Sequence, residues 1–398
     1  MTLTFSEARQ AVEQQVGSRR CTPEVETVAL ADAAGRILAE SVAADRDYPP
    51  FDRSTRDGYA LRAADTPGRL RVIGQVRAGQ EFAGAVGPAE AVEIMTGAPV
   101  PQGADAVIMV EQTRREGGCV AVNRALRAGE NVVPRGSEAP GGGAALESGQ
   151  RLDYPEIALL ASFGRSAVGV YRRPRVAILS TGDEVVEISE TPGPAQIRNS
   201  NAWSLAAQVR RAGGEPVTLP IAPDEKTRTR ELIERGLGCE LLLLSGGVSM
   251  GQYDLVEAVL AELGAEFYFD GVLIQPGKPL VFGRAGEKFF FGLPGNPLST
   301  MVTFEVFARS ALELLGGAAE APLRFAHARL GAALRHKPGL TRFLPALVSG
   351  WGAEAVVNPV KWQGSGDMVS LTRSNAFLVA SADREGWDQG DWIPILPR

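Results

Sequence analysis

The sequence predicts a multidomain α/β and β protein, centred on a three-layer α/β domain with a mostly parallel sheet. Three observations predict it. A chain of 398 residues is too long for one ordinary core. From Pro174 onward, short apolar strands alternate with amphipathic helices, the pattern of a parallel sheet covered on both faces. On either side of that stretch, short apolar runs lie between Gly and Pro turns, which marks smaller β units.

Taken in order, Thr4 to Glu7 reads as a capping box, and Ala8, Val12 and Val16 then recur at helical spacing. Gly17 is the expected end of that helix. A strand and a short helix at 30–39 complete the opening segment. Residues 45–142 carry apolar runs at 70–73, 91–95, 106–110 and 120–122, a small β-rich domain. Three consecutive glycines at 141–143 mark a boundary, and 155–163 reads as a helix with Pro in its first turn.

In the α/β part, strands are expected at 176–179, 217–221, 241–244 and 289–291. Helices are expected at 201–212, 227–237, 254–263 and 298–315. The four consecutive leucines at 241–244 fit a strand buried on both faces. After Gly316 and Gly317, runs at 326–334, 341–348, 355–360, 377–380 and 392–395 predict a compact β-barrel-like domain. The expected division is 1–44 with 143–172 as a helical and extended linking and dimerisation domain, 45–142, 173–317 and 318–398.

Composition narrows the function. With 41 Lys and Arg against 47 Asp and Glu, the formal charge is −6 and no run of five basic residues occurs. Binding to nucleic acid or an anionic membrane by bulk charge is not expected. An anionic substrate would need local devices such as backbone N–H groups, helix N-termini or a metal. Three scattered cysteines and two histidines give no disulfide framework, zinc motif or histidine relay. No signal peptide and no apolar stretch near 18 residues is present, so a cytoplasmic protein is expected.

The α/β strands end in glycine-rich or acidic loops. These are Ser180-Thr181-Gly182-Asp183-Glu184, Ala222-Pro223-Asp224, Ser245-Gly246-Gly247-Val248-Ser249 and Leu293-Pro294-Gly295-Asn296-Pro297. In a parallel sheet they share the carboxyl edge, where open α/β folds bind ligands. Each alone could be a tight turn; four on one edge argue for a site. Asp183, Glu184, Asp224 and Asp254 are oxygen donors suited to Mg²⁺, although Asp224 could equally cap the helix at 227–237. Lys278, in Gln275-Pro276-Gly277-Lys278-Pro279, departs from a Walker A loop because Pro279 replaces the Ser or Thr. It fits an anion contact or a solvated lysine.

Gly247-Val248-Ser249-Met250-Gly251 matches the nucleophile-elbow pattern, with Asp270 and His327 in hydrolase order. The pattern is short, no oxyanion segment accompanies it, and His327 falls in the terminal β domain. Ser54 to Ala60 and Thr96 to Pro101 present an exposed Asp57 and Thr96 on turns whose role the residues alone do not give.

Seven segments, 54–60, 95–106, 178–185, 197–205, 245–254, 275–283 and 291–300, resemble the successive signatures of the MoeA family, to which the E domain of gephyrin also belongs. The resemblance runs from about residue 5 to the C-terminus in the family's order. It implies a MogA-like molybdopterin-binding α/β domain and a homodimer with its site between subunits. It also implies insertion of molybdenum from molybdate into adenylylated molybdopterin, with Mg²⁺ and release of AMP, and a contact with a MogA-like adenylyltransferase.

By that resemblance, Asp57 and Thr96 reach the site from the small domain, and Glu184, Asp224 and Asp254 serve metal and nucleotide. Gly182, Asp183, Ser245, Gly246, Gly247, Ser249, Pro294, Gly295, Asn296 and Pro297 line the substrate. Lys278, Ser299, Arg342 and Ser370 line a molybdate pocket, with catalysis carried by Asp57, Thr96, Glu184, Asp254 and Lys278. The sequence departs from the family at Gln275, where many relatives carry Lys, and at Glu138, where they often carry Asp. A molybdopterin adenylyltransferase and a gephyrin-like binding scaffold are the competing readings.

Overall fold

The computed structural model describes residues 1–246 and 255–398. Helix α1 (Phe5–Arg19) begins as the sequence dictates. The Thr4 side chain accepts from Glu7 N–H, and Glu7 reaches back to Thr4 N–H at 2.9 Å. Gly17 does not end it: the helix runs on to Arg19, because Arg20 ties the following turn to the carbonyls of Leu314 and Ala318. Leu3, Ala8, Val12 and Val16 enter the core of the α/β domain, and buried Arg9 donates to the carbonyls of Val306 and Ala321 at 3.0 and 3.1 Å. This segment, grouped with the linking unit from sequence, thus packs on the α/β domain.

The linking unit has its own core, built around Leu38, Val42, Leu160, Phe163 and Val170. The helix expected at 30–39 is a single 3-10 turn, Leu30–Asp32. Ile37 and Leu38 instead bridge to Arg151 and Val170, so cross-strand pairing takes the backbone groups that a helix would have used. Helix α2 (Tyr154–Ser162) is capped by Asp153 and Glu156. The small domain is a six-stranded sheet from Gly58–Leu61 to Cys119–Val122, with a hydrophobic cluster on each face.

The α/β sheet has strands β1 (Arg175–Ser180), β2 (Glu215–Thr218), β3 (Leu241–Ser245), β4 (Glu266–Phe269), β5 (Val281–Ala285) and β6 (Lys288–Leu293), in the order 2-1-3-6-5-4. Strands β2, β1, β3 and β6 are mutually parallel, and β5 runs against β6 and β4. Alternation assigns the two faces. Val176, Ile178, Leu241 and Leu243 join α1 and α3 (Ser200–Arg211) in one core. Ala177, Leu179, Leu242 and Leu244 join α4 (Lys226–Gly236) and α5 (Leu255–Glu262) in the other. These are the three expected layers.

The expected helix at 298–315 is α6 (Pro297–Thr303) and α7 (Arg309–Leu315), joined by a π-helical stretch, Phe304–Ala308. Beyond it, five strands, Ala326–Leu330, Thr341–Ser349, Val356–Pro359, Ala376–Ala380 and Trp392–Pro397, close a ring. Phe343, Leu371, Phe377 and Val379 share one core with Leu298 and Val302 of α6, so the barrel is docked on that helix. Among the described residues, no helix is long and apolar enough to cross a membrane.

Candidate functional site

Backbone hydrogen bonds stitch the carboxyl edge together. Gly182 N–H donates to Ala222 O and Thr181 N–H to Ser245 O, each at 3.1 Å, and Gly246 N–H donates to Leu293 O at 3.3 Å. The loops after β2, β1 and β6, with Ser245 and Gly246 at the end of β3, therefore form one continuous rim. Asp224 N–H donates to the Asp183 carboxylate at 3.1 Å, so Asp183, Glu184 and Asp224 occupy adjoining exposed turns. Asp224 is not a helix cap. Glu225 holds that position and makes no side-chain cap bond.

Two glycines are required here. Gly182 has φ +123°, and a Cβ on it would lie 2.3 Å from a Glu184 carboxylate oxygen. Gly246 has φ +91°, and its Cβ would lie 2.9 Å from the Thr181 carbonyl oxygen. The Glu184 carboxylate thus folds over bare backbone. Ser245, Gly246, Pro294, Gly295, Asn296 and Pro297 lie on the same rim, while Gly247, Ser249 and Asp254 lie outside the described residues, as does the whole nucleophile-elbow pattern at 247–251.

Sequence reasoning missed Asn201. Its amide donates to Ser245 Oγ at 2.8 Å and to Gly295 O at 2.7 Å, clasping the β3 and β6 loops from the first turn of α3. Its Oδ1 and the Oγ1 of Thr181 are buried without a partner among the described residues. An Asn at a helix start reads as a cap; here Asn199 is the cap, accepting from Ala202 N–H at 3.2 Å, and Asn201 is free to span the rim.

A second group forms where the barrel meets α6. Gln275 pairs with Arg342 across a short parallel ladder, and Gly277, with φ +106°, lies so close to α6 that a Cβ would meet Thr303 Cγ2 at 2.4 Å. This sets the loop bearing exposed Lys278 against the helix that carries buried Ser299. Arg342 Nε is buried without a hydrogen-bond partner among the described residues. Ser370 is buried in α8 (Met368–Thr372), which packs on α6.

Asp57 and Thr96 sit together in the small domain. Thr96 donates to Asp57 Oδ1 from its N–H at 2.6 Å and its hydroxyl at 2.9 Å. The backbone N–H first, then the hydroxyl, hold the Asp57 carboxyl below the usual carboxylate range. Gly58 must be glycine, since a Cβ there would fall 1.8 Å from Ile108 O. Among the described residues, no hydrogen bond or ion pair joins this pair to the carboxyl edge of its own chain.

Comparison with known proteins gives the family. A molybdopterin molybdenumtransferase of Bacillus subtilis (strain 168) is 36% identical over 388 residues, covering 94% of this chain and 90% of the relative. The chain belongs to the MoeA family. Residues 3–164 match the MoeA N-terminal region (domain I and II), 177–314 the probable molybdopterin binding domain, and 327–397 the MoeA C-terminal region (domain IV). A molybdopterin molybdenumtransferase of Nostoc sp. (strain PCC 7120 / SAG 25.82 / UTEX 2576) is 39% identical over 308 residues, covering 75% of this chain and 71% of the relative. The crystal structure of a molybdopterin biosynthesis moeA protein from Pyrococcus horikoshii OT3 superposes with TM-score 0.80 at 30% identity, over all of both chains.

Proposed function

We propose that this cytoplasmic enzyme is a molybdopterin molybdenumtransferase. It inserts molybdenum from molybdate into adenylylated molybdopterin and releases AMP. The observation that carries the reading is the carboxyl edge, where glycine-floored loops present Asp183, Glu184 and Asp224 in the region matching the molybdopterin-binding domain.

The donor set fits Mg²⁺, since these loops offer carboxylate oxygens and no Cys or His. Among the described residues no three His, Cys, Asp or Glu groups form a ready cage. Glu184 and Asp224 would hold the ion, with water and substrate oxygens completing its shell. When bound it would neutralise charge on the pyrophosphate oxygens. Asn201 holds the end of β3 and the β6 loop at a fixed separation, and the absence of side chains at Gly182 and Gly246 keeps the floor of the rim low for a substrate. Lys278, Arg342, Ser299 and Ser370 would receive molybdate, and the dithiolene sulfurs that bind molybdenum belong to the substrate.

Asp57, kept ionised by Thr96, would reach an edge contributed by a second copy, which fits the lack of any hydrogen bond or ion pair from it to the edge of its own chain among the described residues. The test is AMP release from adenylylated molybdopterin with Mg²⁺, with and without molybdate. Molybdate-dependent release is expected. No release by folded protein rejects the transferase and favours a binding scaffold.

A further inference from the structure

A cavity of 660 Å³ opens beside α8, walled by Lys361, Gln363, Gly366, Asp367, Ser370 and Arg373. Its position ties it to the carboxyl edge. Ser365, in the loop between Gln363 and Gly366, accepts from Leu298 N–H at 3.0 Å, one residue past the Pro294-Gly295-Asn296-Pro297 turn. The wall of the cavity is therefore bonded to the first turn of α6.

Its charges are unevenly used. Asp367 is the one carboxylate among the lining residues, and it is internally occupied, accepting from the N–H groups of Ser370 and Gln363 at 3.1 Å each. Lys361 and Arg373 are exposed and make no ion pair or side-chain hydrogen bond among the described residues. Two free cations against one satisfied carboxylate leave a net positive basin on a chain of formal charge −6.

We propose that Lys361 and Arg373 capture a doubly charged tetrahedral oxyanion at the rim of the site. The reading rests on the proposed reaction, which carries that chemistry twice, in the substrate molybdate and in the phosphate of the released AMP. An Arg fork grips two oxygens of one anion, and a Lys adds a mobile point charge. The two residues act on binding; the proposal assigns them no bond-making step.

Equilibrium dialysis in low-salt buffer tests this without turnover, using molybdate and AMP as separate probes. The proteins are wild type, Lys361→Ala, Arg373→Ala, the double variant and Lys361→Arg. Each alanine should weaken the captured anion by about tenfold, the double variant by more, and the loss should shrink in high salt. Lys361→Arg should bind nearly as wild type. A loss for molybdate alone assigns the oxometalate, and a loss for AMP alone assigns the phosphoryl group. A double variant that binds both probes like wild type overturns the proposal, as does a wild type that binds neither. Because the readout is affinity, failure here differs from failure of AMP release, which would strike the reaction itself.

Discussion

Replacing Gly182 and Gly246 separately by Ala should give two losses of different size. Both have positive φ, +123° and +91°, so an L side chain strains the backbone by about 1–3 kcal/mol at either position. The steric terms differ. The Cβ at 182 meets the end of the Glu184 side chain, which can swing away. The Cβ at 246 meets the Thr181 carbonyl at 2.9 Å, and that backbone is pinned because Thr181 N–H bonds Ser245 O. Overpacking against fixed backbone adds about 1–3 kcal/mol. Gly246→Ala should therefore cost about 2–6 kcal/mol of local stability, and Gly182→Ala about 1–3. Native-state hydrogen exchange of the β1 and β3 amides reads the difference directly. Gly182→Ala should still lose AMP release disproportionately, because its methyl displaces the Glu184 carboxylate. Equal protection in the two variants, or the reverse order, would refute the account of how the rim is built.

Further outcomes follow from single contacts. Asn201→Ala removes two hydrogen bonds that clasp the β3 and β6 loops and should cost about 1–3 kcal/mol, with AMP release falling while α3, capped by Asn199, stays helical by circular dichroism. Thr96→Val should raise the Asp57 pKa but leave it below the usual carboxylate range, since the larger, backbone contribution survives. A depressed folded pKa stabilises the fold above the unfolded value and loses that contribution as pH falls through the folded one, so the effect lies in the acid range below about 4. Carbon-detected NMR titration of the Asp57 carboxyl checks this; an unchanged or lowered value would contradict it.

What could be read from sequence followed chemistry that is local. The Thr4 and Glu7 capping box, the four-leucine strand and the glycine-rich strand ends each carry their own signature, and they set the sheet and its working edge. Features decided by distant partners were hidden. Gly17 stays helical because Arg20 is held by residues near 314–318, and 30–39 is pulled from helix by pairing with Arg151 and Val170. Strand β4 lacks a clear period since it lies at the sheet margin, where Glu266 and Phe267 are exposed. Asn201 was invisible because its partners, Ser245 and Gly295, lie 44 and 94 residues away.

The central claim is that the Glu184 edge and the Asp57 pair serve one reaction from two copies of the chain. Mixing Asp57→Ala with Glu184→Gln tests it, because on this account each variant alone would damage every site of a homodimer. In the mixed dimer one site pairs an intact edge with an intact Asp57. The account predicts two nearly inactive variants whose co-refolded mixture recovers AMP release toward a quarter of wild type, the share expected for half heterodimers with one good site each. A mixture that stays as inactive as its components, despite heterodimers shown by mass spectrometry, would contradict a site shared between subunits.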